Sequence, residues 1–310
     1  MELLHLLQTN SFFFLVVISV LGLLIGSFLN VVIHRLPVIM ERSWRQQCED
    51  FLADNSPPSD QADKTASAKT TVDAAAAKPK EKYNLVTPRS TCPHCGHRIT
   101  AMENIPVISY LILKGKCSAC GQKISLRYPI IEMITAILSL TIAWQFGYSS
   151  QTVAALGLTW ALIALTMIDF DKQLLPDDIT LPLMWLGLIL AMFGVFTDAH
   201  SSIIGAAAGY LSLWSFYWIF KWLTGKEGMG YGDFKLFAAL GAWFGWQLLP
   251  VIILLSSLVG AVVGISLILF LGRDKNVPIP FGPYIAAAGW IAMIWGHDIT
   301  RAYLNFAGIH

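Results

Sequence analysis

The chain has 310 residues, of which 55% are hydrophobic and 13% charged, with a formal net charge of +1. A soluble domain carries about a quarter charged residues, so an ordinary soluble globular protein is excluded, and apolar residues in long blocks are what a bilayer requires. The near-neutral balance gives no basis for a nucleic-acid partner.

The first apolar run covers 11–33. Glu2 and His5 are the only ionisable side chains before Ser11, and positive charge follows the run at His34, Arg35, Arg42 and Arg45. With no basic leading region and no small-residue cleavage site, the run reads as a retained transmembrane helix rather than a signal peptide. Further runs long enough to span a bilayer lie at 128–147, 152–168, 179–197, 201–223, 234–250, 251–271 and 283–300. Only Pro250 separates the sixth span from the seventh, which leaves a short re-entrant arrangement open there. The expected architecture is an all-α polytopic membrane protein with about eight transmembrane helices. Residues 1–33 form the first helix, 34–127 a large loop segment, and 128–310 a multi-span core.

Charge orients the chain. With 34–127 in the cytoplasm, the loops at 169–178, 224–233 and 272–282 also fall inside. All Lys and Arg residues except Arg301 then lie in or beside cytoplasmic loops, a positive-inside pattern. Both termini fall on the other side.

Within the cytoplasmic segment, 46–84 is rich in Ala, Lys, Asp, Ser, Pro and Thr. It has too few large apolar side chains to offset chain entropy and reads as a disordered linker. Residues 85–127 differ, with turn residues, an apolar stretch at 105–113, and two CxxC pairs, Cys92/Cys95 and Cys117/Cys120. Each pair is followed by a glycine that permits a tight turn. Two such knuckles complete a structural zinc site with four thiolates, and a small segment with little core needs a staple. The competing reading is two unrelated thiol pairs or redox dithiols. His94 and His97 are expected to be bystanders, and Cys48 a free thiol in the linker.

Acidic residues at membrane boundaries read as functional candidates. Asp169 ends the third span and Asp233 begins the sixth, after the glycine-rich run Gly228-Met-Gly-Tyr-Gly232. Two spans intervene, so both carboxyls return to the cytoplasmic boundary, where they are able to meet. A carboxyl pair sharing one proton performs aspartic-protease chemistry, one member activating water and the other polarising a carbonyl. Helix capping is the competing explanation for Asp233. It fails for Asp169, which sits at a helix C-terminus where the macrodipole disfavours negative charge. Asp177 and Asp178, after Pro176, read as N-capping residues, and Asp171, beside Lys172, as solvated. Asp198 and Asp298 fall on the opposite side.

These residues resemble a family. Gly26-Ser-Phe-Leu-Asn-Val-Val-Ile-His-Arg-Leu-Pro37, the paired CxxC motifs, Asn104-Ile-Pro106, Arg127-Tyr-Pro129 with Glu132, Ile168-Asp169 through Leu175-Pro-Asp177, and Gly230-Tyr-Gly-Asp233 are together similar to the bacterial type IV prepilin peptidases, over nearly the whole chain. The resemblance implies an enzyme of the bacterial inner membrane, embedded in lipid, with its active site facing the cytoplasm. Its substrates would be prepilins and pseudopilins of pili, secretion or DNA uptake. It would cut their leader just after a glycine, then methylate the new terminal amine from S-adenosylmethionine. The catalytic aspartates of the family map onto Asp169 and Asp233, and Gly115 and Lys116 match positions linked to methyl transfer. The linker at 46–84 is longer than the pattern needs. A transporter or channel with a cytosolic zinc module, and a peptidase lacking the methyl-transfer step, are the alternatives.

Overall fold

The computed structural model describes residues 2–55, 83–272, 279–306 and 308. Among them there are ten α-helices and no strand, only two isolated backbone bridges. After a short α1 (Glu2–Thr9), Asn10 caps α2 (Ser11–Asp54) by accepting the Phe13 N–H at 3.0 Å. A five-residue α3 (Ile108–Ile112) lies in the cysteine segment. The bundle is then built from α4 (Arg127–Phe146), α5 (Ser150–Lys172), α6 (Asp177–Met192), α7 (Ala199–Thr224), α8 (Tyr231–Phe244), α9 (Leu249–Leu271) and α10 (Gly282–Phe306).

The first correction to the sequence reading concerns α2. The expected helix ends at 33 and the expected linker begins at 46, yet α2 runs without a break through Asp54. Residues 38–54 contain no glycine and are mostly good helix formers, and Glu41 and Arg45 pair one turn apart at 3.2 Å. Pro37 costs the ladder one hydrogen bond and does not end it. At about 1.5 Å per residue the helix is roughly 66 Å long, about twice a hydrocarbon core. The projecting part is not bare. Arg35 donates from Nη1 to the carbonyls of Asn84 and Leu85 at 3.1 and 3.3 Å, and Arg42 stacks on the Tyr83 ring at 4.1 Å. The rest of the expected linker, 56–82, lies outside the described residues.

The second correction concerns the sixth span, expected at 234–250. α8 has only 14 residues, stopped by Gly245 at φ +80°. At roughly 21 Å it is shorter than a hydrocarbon core. A single 3-10 turn, Trp246–Leu248, leads into α9, where Pro250 occupies the first turn, a position that tolerates a missing N–H. The break therefore falls at the glycine and not at the proline. From Phe234 to Phe244 every residue of α8 except Lys235 is buried. Among the described residues, five helices are long and apolar enough to cross a membrane: α2, α4, α5, α7, and α9 with its preceding turn.

Helices in lipid gain little from excluding water, so close packing through small residues holds them together. α2 lies on α4 at Gly22 and Gly26, where an added methyl would come within 2.8 Å of Ala136 Cα and 2.7 Å of Glu132 Cα. α7 lies on α8 through Gly205 and Gly241, each backbone occupying the space a side chain on the other would need. On the other side of α8, Trp243 Nε1 donates to the Leu183 carbonyl of α6 at 2.8 Å. A Gly205→Val substitution has only backbone to push against. It should destabilise the protein by at least about 2 kcal/mol, read as a lowered thermal unfolding midpoint of the purified protein in detergent. An unchanged midpoint would contradict this packing.

Candidate functional site

The two singled-out aspartates converge. Asp169 stands in the last turn of α5, where the Gln173 N–H caps its carbonyl at 2.9 Å from a left-handed conformation. Asp233 is the third residue of α8. They are 5% and 6% exposed and lie within electrostatic reach of each other. Asp233 does also cap its helix, since its Oδ2 accepts the Gly230 N–H at 3.2 Å. Capping its own helix therefore does not remove Asp233 from the electrostatic reach of Asp169. Asp169 Oδ2 is the one buried side-chain oxygen among the described residues with no hydrogen-bond partner. Beside it runs the backbone of Gly282, the first residue of α10.

Ion pairs brace the two helix ends that carry these acids. Arg127 of α4 grips Asp171 with both terminal nitrogens, at 2.8 and 2.6 Å. Lys235 of α8 lies 2.7 Å from both carboxylate oxygens of Asp177. Asp171 is exposed, in line with the sequence reading, and is in addition half of a bidentate pair. The reading of the next two acids is corrected. Asp177 and Asp178 are not N-caps: Pro176 occupies that position, with no side-chain cap, and the two acids sit in the first turn, where the macrodipole favours them. The partners are 44 and 58 positions away in the chain, so local patterning held no sign of them. Asp198 caps α7 by accepting the Ser201 N–H at 3.0 Å, at the opposite end of that helix from the loop leading to Asp233.

The cysteine segment folds as two like knuckles. In each, the first cysteine's N–H reaches a carbonyl five residues on and its own carbonyl accepts from the glycine: Cys92 with His97 and Gly96, Cys117 with Gln122 and Gly121, at 2.8 and 2.9 Å in both. Gly96 and Gly121 both have φ +70°. The N–H groups of Cys95 and His94 point at the Cys92 sulfur and lower its thiol to about 7, and those of Cys120 and Ala119 shift Cys117 in the same direction, downward. All four sulfurs lie within 4.8 Å of one another, with 3.9 Å between Cys92 and Cys120 and 4.0 Å between Cys95 and Cys117. Zn–S bonds of about 2.3 Å in a tetrahedron require sulfurs roughly 3.8 Å apart. The donor set therefore fits a four-thiolate metal site. His97 is not a ligand but a strut, with Nε2 3.2 Å from Glu103. Glu103 also takes hydrogen bonds from Ser118 and from the Thr100 N–H and hydroxyl, joining the two knuckles. Led by the Ser118 bond, these hold its carboxyl down at about 2 from an ordinary 4.5. The stabilisation is thus present above about 4.5 and lost as pH falls toward 2.

Gly115 and Lys116 directly precede the second knuckle. Gly115 needs its glycine, having φ +67° and a Tyr110 hydroxyl 2.6 Å from where a Cβ would stand. The described contacts of this turn, Ile124 N–H to the Gly115 carbonyl and the Lys116–Lys123 bridge, lie within the cysteine segment. Glu132, quoted only within a motif at the sequence level, turns out to join module and bundle. It is 7% exposed, and its Oε2 accepts the N–H of Val107 at 2.8 Å.

A helical membrane-type chain with a buried aspartate pair and a separate four-cysteine module is what these observations define. Residues 20–146 match the bacterial peptidase A24 N-terminal domain and residues 156–265 the type IV leader peptidase family. The chain is 53% identical over 301 residues to the prepilin leader peptidase/N-methyltransferase of Stutzerimonas stutzeri, covering 97% of each chain. It is 52% identical over 308 residues to that of Pseudomonas aeruginosa, covering 99% of each, and 52% over 303 residues to that of Aeromonas hydrophila, covering 98% of each. No solved structure matches it. The chain belongs to the type IV leader peptidase family.

Glu103 tests the module. Replacing it with Ala removes the hydrogen bonds that join the knuckles and should weaken metal retention at the four sulfurs about 10- to 100-fold, as loss of a supporting hydrogen-bond partner does. Competition with a chromophoric chelator measures this, and an affinity equal to that of the unsubstituted protein would refute the strut.

Proposed function

We propose that this chain is a membrane aspartyl endopeptidase that removes the leader peptide of prepilins and pseudopilins, and that it then N-methylates the new terminal residue from S-adenosylmethionine. The observation that carries the reading is the burial of Asp169 and Asp233 together, one with an unpartnered oxygen. In a pair holding one proton between them, the ionised carboxyl takes a proton from water and the protonated one hydrogen-bonds the peptide carbonyl. The names of the relatives support both the peptidase and the methyl-transfer activities.

The same reading puts the chain in the bacterial inner membrane as eight passes, α8 being a short buried one, with the carboxyl pair and the cysteine module on the cytoplasmic side. Lys and Arg distribution supports that orientation. Cys92, Cys95, Cys117 and Cys120 hold a structural zinc ion, which fixes the fold of the segment carrying Gly115 and Lys116. Methyl transfer is mainly a matter of holding a deprotonated amine in line with a sulfonium methyl, and these two residues are assigned to that positioning.

Asp169→Asn and Asp233→Asn should each lower leader cleavage at least about 1,000-fold with membrane insertion and thermal midpoint unchanged. Near-normal cleavage by either overturns the dyad. Asp177→Asn, which loses only a part-exposed ion pair worth about 0–1 kcal/mol, should retain at least a tenth of the activity.

The two chemistries should also separate. Asp169→Asn should still methylate a substrate supplied already cleaved, whereas Lys116→Ala should cleave normally and methylate poorly. Mass spectrometry of the product N-terminus, for both variants on both substrate forms, decides it. Failure of Asp169→Asn to methylate bound, pre-cleaved substrate would mean the sites are not independent.

A further inference from the structure

We propose that the short helix α3 of the cysteine segment lies in the membrane surface, with its apolar face inserted among the lipids that surround the start of α4. This rests on the reading of the chain as a membrane protein and not on its peptidase chemistry. α3 is apolar on the wrong side for a helix in water. Ile108, Leu111 and Ile112 are 53%, 68% and 73% exposed, and Ile105, ahead of the helix, is 39% exposed. At spacings of three and four these side chains form one stripe. The polar members of the helix are the part-buried ones: Ser109, and Tyr110, whose hydroxyl donates to the Ile124 carbonyl at 3.4 Å. In water this stripe is a contiguous apolar patch, and such patches mark a surface that meets lipid or another chain.

Two hydrogen bonds fix the depth of the helix, and the depth selects lipid. At its start, the Val107 N–H donates to Glu132, in the second turn of α4. The outward face of α4 is already apolar before that level is reached, since Tyr128 and Ile130 are 46% and 50% exposed. Ile134 and Ile137 continue the same exposed character at 44% and 54%, along a helix long and apolar enough to cross a membrane. Alongside, Tyr110 is tied to Ile124, three residues before α4 begins. The exposed side chains of α3 therefore stand at the level where those of α4 meet lipid. Beyond the helix Lys114 and Lys116 are exposed, which puts cations next to the apolar face, as binding to anionic headgroups requires.

The test uses the full chain in nanodiscs of phosphatidylcholine and phosphatidylglycerol, one copy to a disc. A fluorescent amino acid is introduced genetically at one position at a time: Leu111, Ile112, Ala119 on the exposed second knuckle, or Ile137 on the outward face of α4. Lipids spin-labelled at shallow or at deep acyl carbons then quench it according to depth. Positions 111 and 112 should be quenched at least about threefold more than 119, and more by the shallow label than by the deep one, as insertion to roughly 5–10 Å requires. Position 137 should be quenched more by the deep label. Quenching at 111 and 112 no greater than at 119, with 137 quenched, means that water, substrate or another chain meets this face. That result overturns the proposal and leaves the membrane reading standing. An unquenched 137 removes the membrane reading and the proposal with it. Should the label at 111 unfold the module, seen as lost metal affinity in chelator competition, position 112 decides alone.

Discussion

Asp169 at the end of α5 and Asp233 at the start of α8 are both buried and within electrostatic reach of each other, and taking two acids out of water costs several kcal/mol unless surrounding groups hold them. The remaining architecture answers that requirement. α8, which carries Asp233 in its first turn, is short and almost wholly enclosed. Its capping hydrogen bond fixes one oxygen of Asp233. The Asp177–Lys235 and Arg127–Asp171 pairs then tie α6 to α8 and α4 to α5 at the same level. A charge on each helix end is thereby matched by a partner from a neighbouring helix, and the uncompensated oxygen that remains is on Asp169.

Enclosing α8 is possible because its neighbours approach without side chains. Gly205 meets Gly241, and Gly209 lies against the Phe237 carbonyl. With lipid tails as apolar as leucine, such van der Waals contact and a few hydrogen bonds hold the helices, among them the one from Trp243 to Leu183. The same device recurs at the carboxyl pair, where Gly232 and Gly282 let Leu175 and Asp169 pack against bare backbone. One means of packing therefore both assembles the bundle and shapes the space over the acids.

What was legible in the sequence is what depends on neighbours in the chain. Each Cys-x-x-Cys-Gly fixes its own knuckle, and the two knuckles meet with sulfurs at metal-binding separation. That Asp169 and Asp233 lie within electrostatic reach of each other agrees with the expectation drawn from two intervening spans, a topological argument that needs no side-chain detail. What was not legible depends on distant partners or on the absence of a stop signal. Nothing near Asp171 points to Arg127, and nothing near Asp177 points to Lys235. The run past 33 looked like loop because it is polar, although polarity does not end a helix that lacks glycine and has its charges paired at one-turn spacing. Pro250 looked like the break because proline usually is one, whereas a first-turn proline starts a helix as readily as it ends one, and Gly245 supplies the turn.

The junction of module and bundle shows how the two halves constrain each other. Val107 is β-branched yet sits at φ +59°, a conformation that costs of order 1–3 kcal/mol. Its N–H is held by Glu132, a carboxylate buried where α2 and α4 are in backbone contact at Gly26. The strained backbone thereby places its N–H on a buried carboxyl that needs donors, and gains a hydrogen bond in return. This hydrogen bond ties the segment between the knuckles to α4 of the bundle. That placement matters because the module has little core of its own, and because it sets the level at which the exposed apolar side chains of 105–112 stand. The knuckles fix the shape of the segment carrying Gly115 and Lys116, and Glu132 fixes where that shape stands relative to the helices that hold the aspartates.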